Sequence, residues 1–133
     1  MIVEIREIFL LPQIFNLAVH IPDVTQEEFK NICIDRLKED TSTFICYKVG
    51  NLIEAFVFCT VDLYQGRKSY VIQYAYCNPK ADYSVSAEVF ARACQNAKQL
   101  NLKEIFMMTS RNPEAFIRKY KFTPFMSVLR RAV

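Results

Sequence analysis

The chain reads as an α/β (α+β) protein with a mixed, mainly antiparallel central sheet flanked by helices. Three observations predict this. TFICYKV, LIEAFVFCTVDLY and KSYVIQYAYC are rich in β-branched and aromatic residues, and short turns at Gly50-Asn51 and Gln65-Gly66 separate them, which is the pattern of an antiparallel meander. Two stretches, after Thr25 and after Pro79, repeat apolar residues at helical spacing. The second is followed almost at once by KEIFMMTS, an order that returns a parallel strand beside the one preceding the helix.

Taken in order, Ile2, Val3, Ile5, Ile8 and Phe9 suit a first strand ending before Pro12. Ile14, Leu17 and Ala18 suit a short helix that starts at Pro12 and stops before Pro22. Thr25 and Glu28 form a T-x-x-E capping box, and Phe29, Ile32, Cys33 and Leu37 give the apolar face of a helix ending near Asp40. The three strands of the meander follow, and their turns hold both glycines of the chain. Beyond Pro79, Val89, Phe90, Ala93, Cys94, Ala97 and Leu100 share a stripe on a long helix that Asp82 or Ser84 can cap. KEIFMMTS is expected as a buried strand. Asn112, Pro113 and Glu114 then start a short helix running to about Tyr120, and Phe125–Leu129 suits a last strand.

At 133 residues the chain is expected to form one domain, spanning 1–133, with a core that needs no staples. A hydrophobic fraction of 52%, with 11 Phe and 7 Tyr, excludes a disordered or fibrous class. The net charge of +3 is too small to argue for nucleic acid. That option would rest on Arg111, Arg118, Lys119, Lys121, Arg130 and Arg131, and binding is expected to be absent. Cys33, Cys46, Cys59, Cys77 and Cys94 form no C-x-x-C and sit in apolar runs, so reduced, buried thiols in a cytoplasmic setting are expected. The charged MIVEIREIF is no signal sequence, and no apolar run reaches membrane-spanning length.

The order β-α-α-β-β-β-α-β-α-β resembles the GNAT superfamily of N-acetyltransferases over nearly the whole chain. KVGNLIEAFVF is similar to the turn and third strand, and IQYAYCNP to the strand leading into the acyl-CoA pyrophosphate loop. NPEAFIRKYKFTP is similar to the last helix and strand, where Asn112, Ala115, Phe116 and Phe122 match. The resemblance implies acyl transfer from acetyl-CoA to an amine of a small molecule or protein. It further implies a bulge that splays the fourth strand from the fifth, with pantetheine on the backbone near Tyr76 and Cys77. The pyrophosphate pattern Arg/Gln-x-x-Gly-x-Gly/Ala falls on Asp82, Val85 and Ala87, of which Ala87 conforms. Asp82 would then cap the N–H groups that a phosphate needs, and Val85 would put a branched Cβ beside them. The fourth-strand Glu base of many relatives corresponds to Gln73, and their Tyr acid to Ile117. Their Gly before the final Phe corresponds to Lys121, and a frequent third-strand Gly to Glu54.

Each candidate also has a plainer reading. Glu54 is a relocated base or an outward residue beside a turn. Tyr120, one turn beyond Ile117, is a replacement acid or a ring packed under the last strand. His20 faces an acceptor or solvent, Cys77 is an inert thiol beside the thioester position, and Asp62 and Tyr64 are ordinary solvent-facing groups. Met107 and Met108 are strand core. Two functions stay open: a GNAT-like acetyltransferase, and a domain of that shape serving as an interaction or structural module without CoA.

Overall fold

Among the described residues, five strands form one sheet in the order β1 (Ile2–Ile5), β2 (Thr43–Val49), β3 (Leu52–Tyr64), β4 (Arg67–Cys77) and β5 (Ile105–Met107). The structure is a computed structural model that describes residues 1–7, 11–64, 66–108, 118–124 and 131–132. Pairing is antiparallel from β1 to β4 and parallel between β4 and β5. This is the mixed, mainly antiparallel sheet the sequence implies. Gly50 and Gly66 turn the two hairpins at φ +61° and +81°, the left-handed region that a Cβ disfavours. Among the described residues, three others also take positive φ, Asp23, Asn101 and Lys121. Lys121 lies at φ 60°, in the position where the resembled family places Gly.

Helices α1 (Pro12–Leu17) and α2 (Gln26–Arg36) cover one face of the sheet, and α3 (Tyr83–Gln99) covers the other. Pro12 opens α1, where its missing N–H costs nothing, and a 3-10 turn at Ala18–His20 ends it. The capping box of α2 is complete in both directions, Thr25 Oγ1 accepting from Glu28 N and Glu28 Oε1 from Thr25 N. This helix stops at Arg36, short of Asp40: Lys38 N and Glu39 N donate three residues back, to the Asp35 and Arg36 carbonyls, and Arg6 satisfies the carbonyls of Leu37, Glu39 and Ser42 beyond the end. Phe29, Cys33 and Leu37 are buried as the pattern requires, whereas Ile32 is left exposed on the flank.

Two cores result. Under α1 and α2, Phe29 packs among Phe15, Phe44, Phe56 and Tyr74, the Tyr74 ring 4.9 Å away edge-on. Under α3, Val85, Val89, Ala93 and Ala97 meet Ile45, Val57, Tyr70 and Ile72. The buried stripe of α3 therefore runs at strict i, i+4 spacing, and Cys94, one residue round from Ala93, is exposed. Cys33, Cys46 and Cys59 are buried free thiols and Cys77 is half-buried, so the uniform burial expected for the cysteines holds for three of five. β5 is half-buried rather than buried. Among the described residues, no helix is long and apolar enough to cross a membrane. The helix start at Asn112 and the strand Phe125–Leu129 lie outside the described residues; Arg118–Tyr120 are helical.

Two bulges interrupt the ladders, one extra residue in each. Between Tyr47–Ala55 and Lys48–Ile53 the unpaired residue is Glu54. Between Phe58–Tyr74 and Cys59–Ile72 it is Gln73.

Candidate active site

Among the described residues, β4 and β5 pair at Tyr70–Ile105, Val71–Phe106 and Ile72–Met107. Gln73 follows immediately, and from there to Cys77 the β5 side of β4 has no strand partner among the described residues. The bulge thus stands where the pairing of the two strands ends, and beyond it that edge of β4 is unpaired among the described residues. This lies a few residues upstream of Tyr76 and Cys77, which occupy the far end of that free edge.

A cleft of about 170 Å³ opens beside this edge, walled by Ala75 and Cys77 of β4, Ser86, Val89 and Phe90 of α3, and Tyr120. Tyr120 enters it from beyond β5. Its ring stacks on Phe90 at 4.3 Å, and its hydroxyl pairs with Ser86 Oγ in a short hydrogen bond. Burial raises its phenol above the ordinary value, the charges of Tyr83 and Cys77 add to this, and the Ser86 bond opposes it. Burial likewise raises the Cys77 thiol, with Glu54 adding and Ser86 opposing. Cys77 is therefore a protonated, weakly nucleophilic lining residue.

The turn leading into α3 follows Cys77 directly. Asp82 occupies the N-cap with an extended backbone, but its exposed carboxylate makes no capping hydrogen bond, contrary to the expectation that it would close the first-turn N–H groups. The N-cap geometry is set by the backbone, with Val85 N donating to Asp82 O at 3.0 Å. Ser84 makes no cap either. Val85 turns its side chain into the α3 core, where it is 8% exposed, so its branched Cβ points away from solvent. Ala87 is half-buried on the same helix. Lys119 Nζ lies 5.9 Å from the centre of the Tyr83 ring, and Tyr83 Oη donates to the Lys119 carbonyl at 2.9 Å, so a cation stands over the first residue of α3.

Glu54 and Gln73 occupy opposite ends of the β3–β4 ladder segment, separated by the four pairs from Ala55–Cys77 to Phe58–Tyr74. Glu54 holds the turn before α3, accepting from Asn78 Nδ2 at 2.9 Å, while its carbonyl accepts from Asn78 N at 2.8 Å. Asn78 Oδ1 in turn accepts from Lys80 N. Gln73 points to the α1–α2 face and donates through Nε2 to Thr60 Oγ1 at 2.9 Å and Asp62 Oδ2 at 2.7 Å. Asp62 also accepts from Thr60 Oγ1 at 2.9 Å and from Arg36 of α2. Burial works against the Arg36 charge, but the hydrogen bond and charge of Asp62 outweigh it and hold the guanidinium above its ordinary value.

Asp62 is not the solvent-facing strand end the sequence suggested. The signal was available: alternation from Phe56 and Phe58 places Thr60 and Asp62 on the helix-covered face. On this face, too, exposed His20 lies with its ring 5.5 Å from that of Tyr76. Asn112, Ala115, Phe116 and Ile117 fall outside the described residues. Among the described residues, no group of His, Cys, Asp and Glu could hold a metal ion.

No family model matches the sequence, and no curated protein matches it significantly. Solved structures do. An aminoglycoside N-acetyltransferase, AAC(6')-Iy in complex with CoA, superposes with a TM-score of 0.81 at 12% identity, covering 100% of this chain and 93% of its own. The aminoglycoside 6'-N-acetyltransferase AAC(6')-IG from Acinetobacter haemolyticus gives 0.83 at 14% identity, over 100% and 97%. A predicted acetyltransferase with acetyl-CoA from Clostridium acetobutylicum gives 0.74 at 16%, over 99% and 96%. The fold is that of the GNAT acetyltransferases.

Proposed function

We propose that the protein is an N-acetyltransferase that binds acetyl-CoA in the gap between β4 and β5 and acetylates a primary amine. The observation that carries this reading is the pairing of β4 with β5, which among the described residues ends at Ile72–Met107 while β4 runs on to Cys77 beside a cleft. The neighbours with CoA or acetyl-CoA bound share this fold.

The residues present suit such a ligand. The free edge of β4 offers N–H and C=O groups to the amides of a pantetheine arm. The first-turn N–H groups of α3, uncapped by Asp82, and the Lys119 cation over Tyr83 would suit a pyrophosphate. The bound thioester would supply the acetyl group. Gln73, an amide, takes no proton at neutral pH, so the acceptor arrives as its free base and loses its proton to solvent. Tyr120, held neutral by burial, is placed to keep a proton beside the departing sulfur.

A thermal melt with acetyl-CoA tests the binding. At a hundredfold excess over Kd the folded state gains about 2.7 kcal/mol, a rise in Tm on the order of 5–10 °C. Release of free thiol on adding n-butylamine or neamine then tests the reaction. The rival reading, a module that binds no CoA, draws on the exposed Asp82 carboxylate at the helix N-terminus. No shift in the wild type at millimolar acetyl-CoA establishes that rival.

A further inference from the structure

One face of α3 grips Tyr120 through three residues. Tyr83, Ser86 and Phe90 stand at i, i+3 and i+7, a spacing that aligns them along one side of the helix. The Tyr120 ring stacks on both aromatics, 5.9 Å from Tyr83 at 19° and 4.3 Å from Phe90 at 29°, and its hydroxyl meets Ser86 Oγ. The two rings fix the phenol oxygen and leave the direction of its hydrogen to be set by hydrogen bonding. Ser86 has one hydrogen, and Oγ donates it to the Tyr83 carbonyl at 3.2 Å. The bond between the two hydroxyls therefore runs from Tyr120 Oη to Ser86 Oγ, which turns the phenolic hydrogen toward α3. A phenol so arranged gives its proton to a ligand only after both hydroxyls rotate. Neither rotation moves a heavy atom, and the Tyr83 carbonyl keeps the N–H that the helix itself supplies.

We propose that Ser86 is a positioning residue that directs the Tyr120 hydroxyl: it accepts the phenolic hydrogen at rest, and donates its own to Oη when Tyr120 protonates the departing sulfur of CoA. This rests on the acetyltransferase reading and deepens it. The thioester C–S bond breaks with its electron pair on sulfur, the Tyr120 proton passes to that sulfur, and the phenolate accepts from Ser86. The nitrogen that has bonded the acetyl carbon loses its proton to solvent, and solvent returns one to Tyr120. The Ser86 bond favours ionisation of this phenol, as a donor to the phenolate does. Ser86, Tyr120 and the β4 edge wall the same cleft, so the bond lies where the sulfur would leave.

The test uses the full chain with acetyl-CoA, CoA, desulfo-CoA and n-butylamine. Ser86→Ala removes the hydroxyl at a helix position that alanine suits, and Ser86→Thr keeps it. We expect Ser86→Ala to lower kcat about tenfold with KM for acetyl-CoA within about twofold, and Ser86→Thr to recover most of the loss. A serine with a purely structural role would give a loss that adds to that of Tyr120→Phe. Here the double variant should be no slower than Tyr120→Phe alone. Binding supplies a readout without turnover. Near pH 8.5, where part of a free thiol is ionised, the wild type should hold CoA about threefold or more tighter than desulfo-CoA. Ser86→Ala and Tyr120→Phe should each erase that preference. An unchanged preference in Ser86→Ala, or fully additive losses, overturns the proposal. The two readings fail separately. A wild type that binds CoA and transfers nothing ends the enzyme reading, and the ratio of CoA to desulfo-CoA affinity still decides this one. A wild type that binds neither ligand overturns both.

Discussion

Glu54 and Asn78 are joined twice across the ends of β3 and β4, backbone to backbone at 2.8 Å and side chain to side chain at 2.9 Å. A carboxylate so placed secures the turn before α3, and it stands four ladder pairs from Gln73. Glu54→Ala should cost about 1 kcal/mol, the scale of one partly exposed hydrogen bond to a charged group. It should raise KM for acetyl-CoA while leaving kcat near the wild-type value. A collapse of kcat over several orders of magnitude would make Glu54 the base, against this placement.

Tyr120 joins the cleft to α3 through Phe90 and Ser86. Tyr120→Phe keeps the stack and removes only the hydroxyl, so stability should change by about 1 kcal/mol or less. A fall in kcat of about tenfold or more is expected if the phenol serves the leaving sulfur. Because its ionisation lies above the ordinary value of 10.0, the wild-type rate should show no loss assignable to Tyr120 below that pH. A Tyr120-dependent loss near neutrality would contradict this.

Lys121 holds φ 60° with an exposed side chain. A Cβ there costs roughly 1–2 kcal/mol, and Gly escapes that cost while giving back part of it as unfolded-chain entropy. Lys121→Gly should therefore stabilise the protein, by about 0.5–1 kcal/mol in urea denaturation. Destabilisation would show that the Lys121 side chain holds something the backbone does not.

The buried thiols make stability depend on alkaline pH. Burial pushes Cys46 and Cys59 up to about 12 from the ordinary 9.0. In the unfolded chain these thiols ionise near 9, while the folded state keeps them protonated, so the unfolded state binds fewer protons and stability falls as pH rises. The loss begins above pH 9 and continues to about 12, approaching ~1.4 kcal/mol per pH unit for each thiol. Denaturation midpoints at pH 8, 9.5 and 10.5 measure this. Cys59→Ala should flatten the slope by about one thiol's share, and an unchanged slope would remove Cys59 from the account.

Much of the architecture was legible because it is written in local chemistry. Thr25 and Glu28 could be read as a helix start, the two glycines as hairpin turns, and KEIFMMTS as a parallel return. The bulges were not legible in detail, since an extra residue changes no propensity. Read with a period of two, Tyr70, Ile72, Tyr74 and Tyr76 share a face; in the fold the first two lie under α3 and the last two under α1 and α2. The same break separates Ile53 from Ala55. Helical position misled similarly at Asp82, where an acid before a helix suggested a capping carboxylate and the side chain makes no cap bond. The partnership of Gln73 with Asp62 depends on the register at the β4 bulge, and composition carries no record of register.

The extra residue in β4 splices two registers of one strand. Were Gln73 deleted, Phe58–Tyr74 and Cys59–Ile72 would become successive pairs of an unbroken ladder, and Tyr74 and Tyr76 would keep their places under α1 and α2. The deletion would instead straighten β4 where its pairing with β5 ends, and take away the amide that meets Thr60 and Asp62. Length at this position therefore governs the gap between the strands and leaves both cores as they are, so a chain that lost the residue would keep this packing and lose the opening.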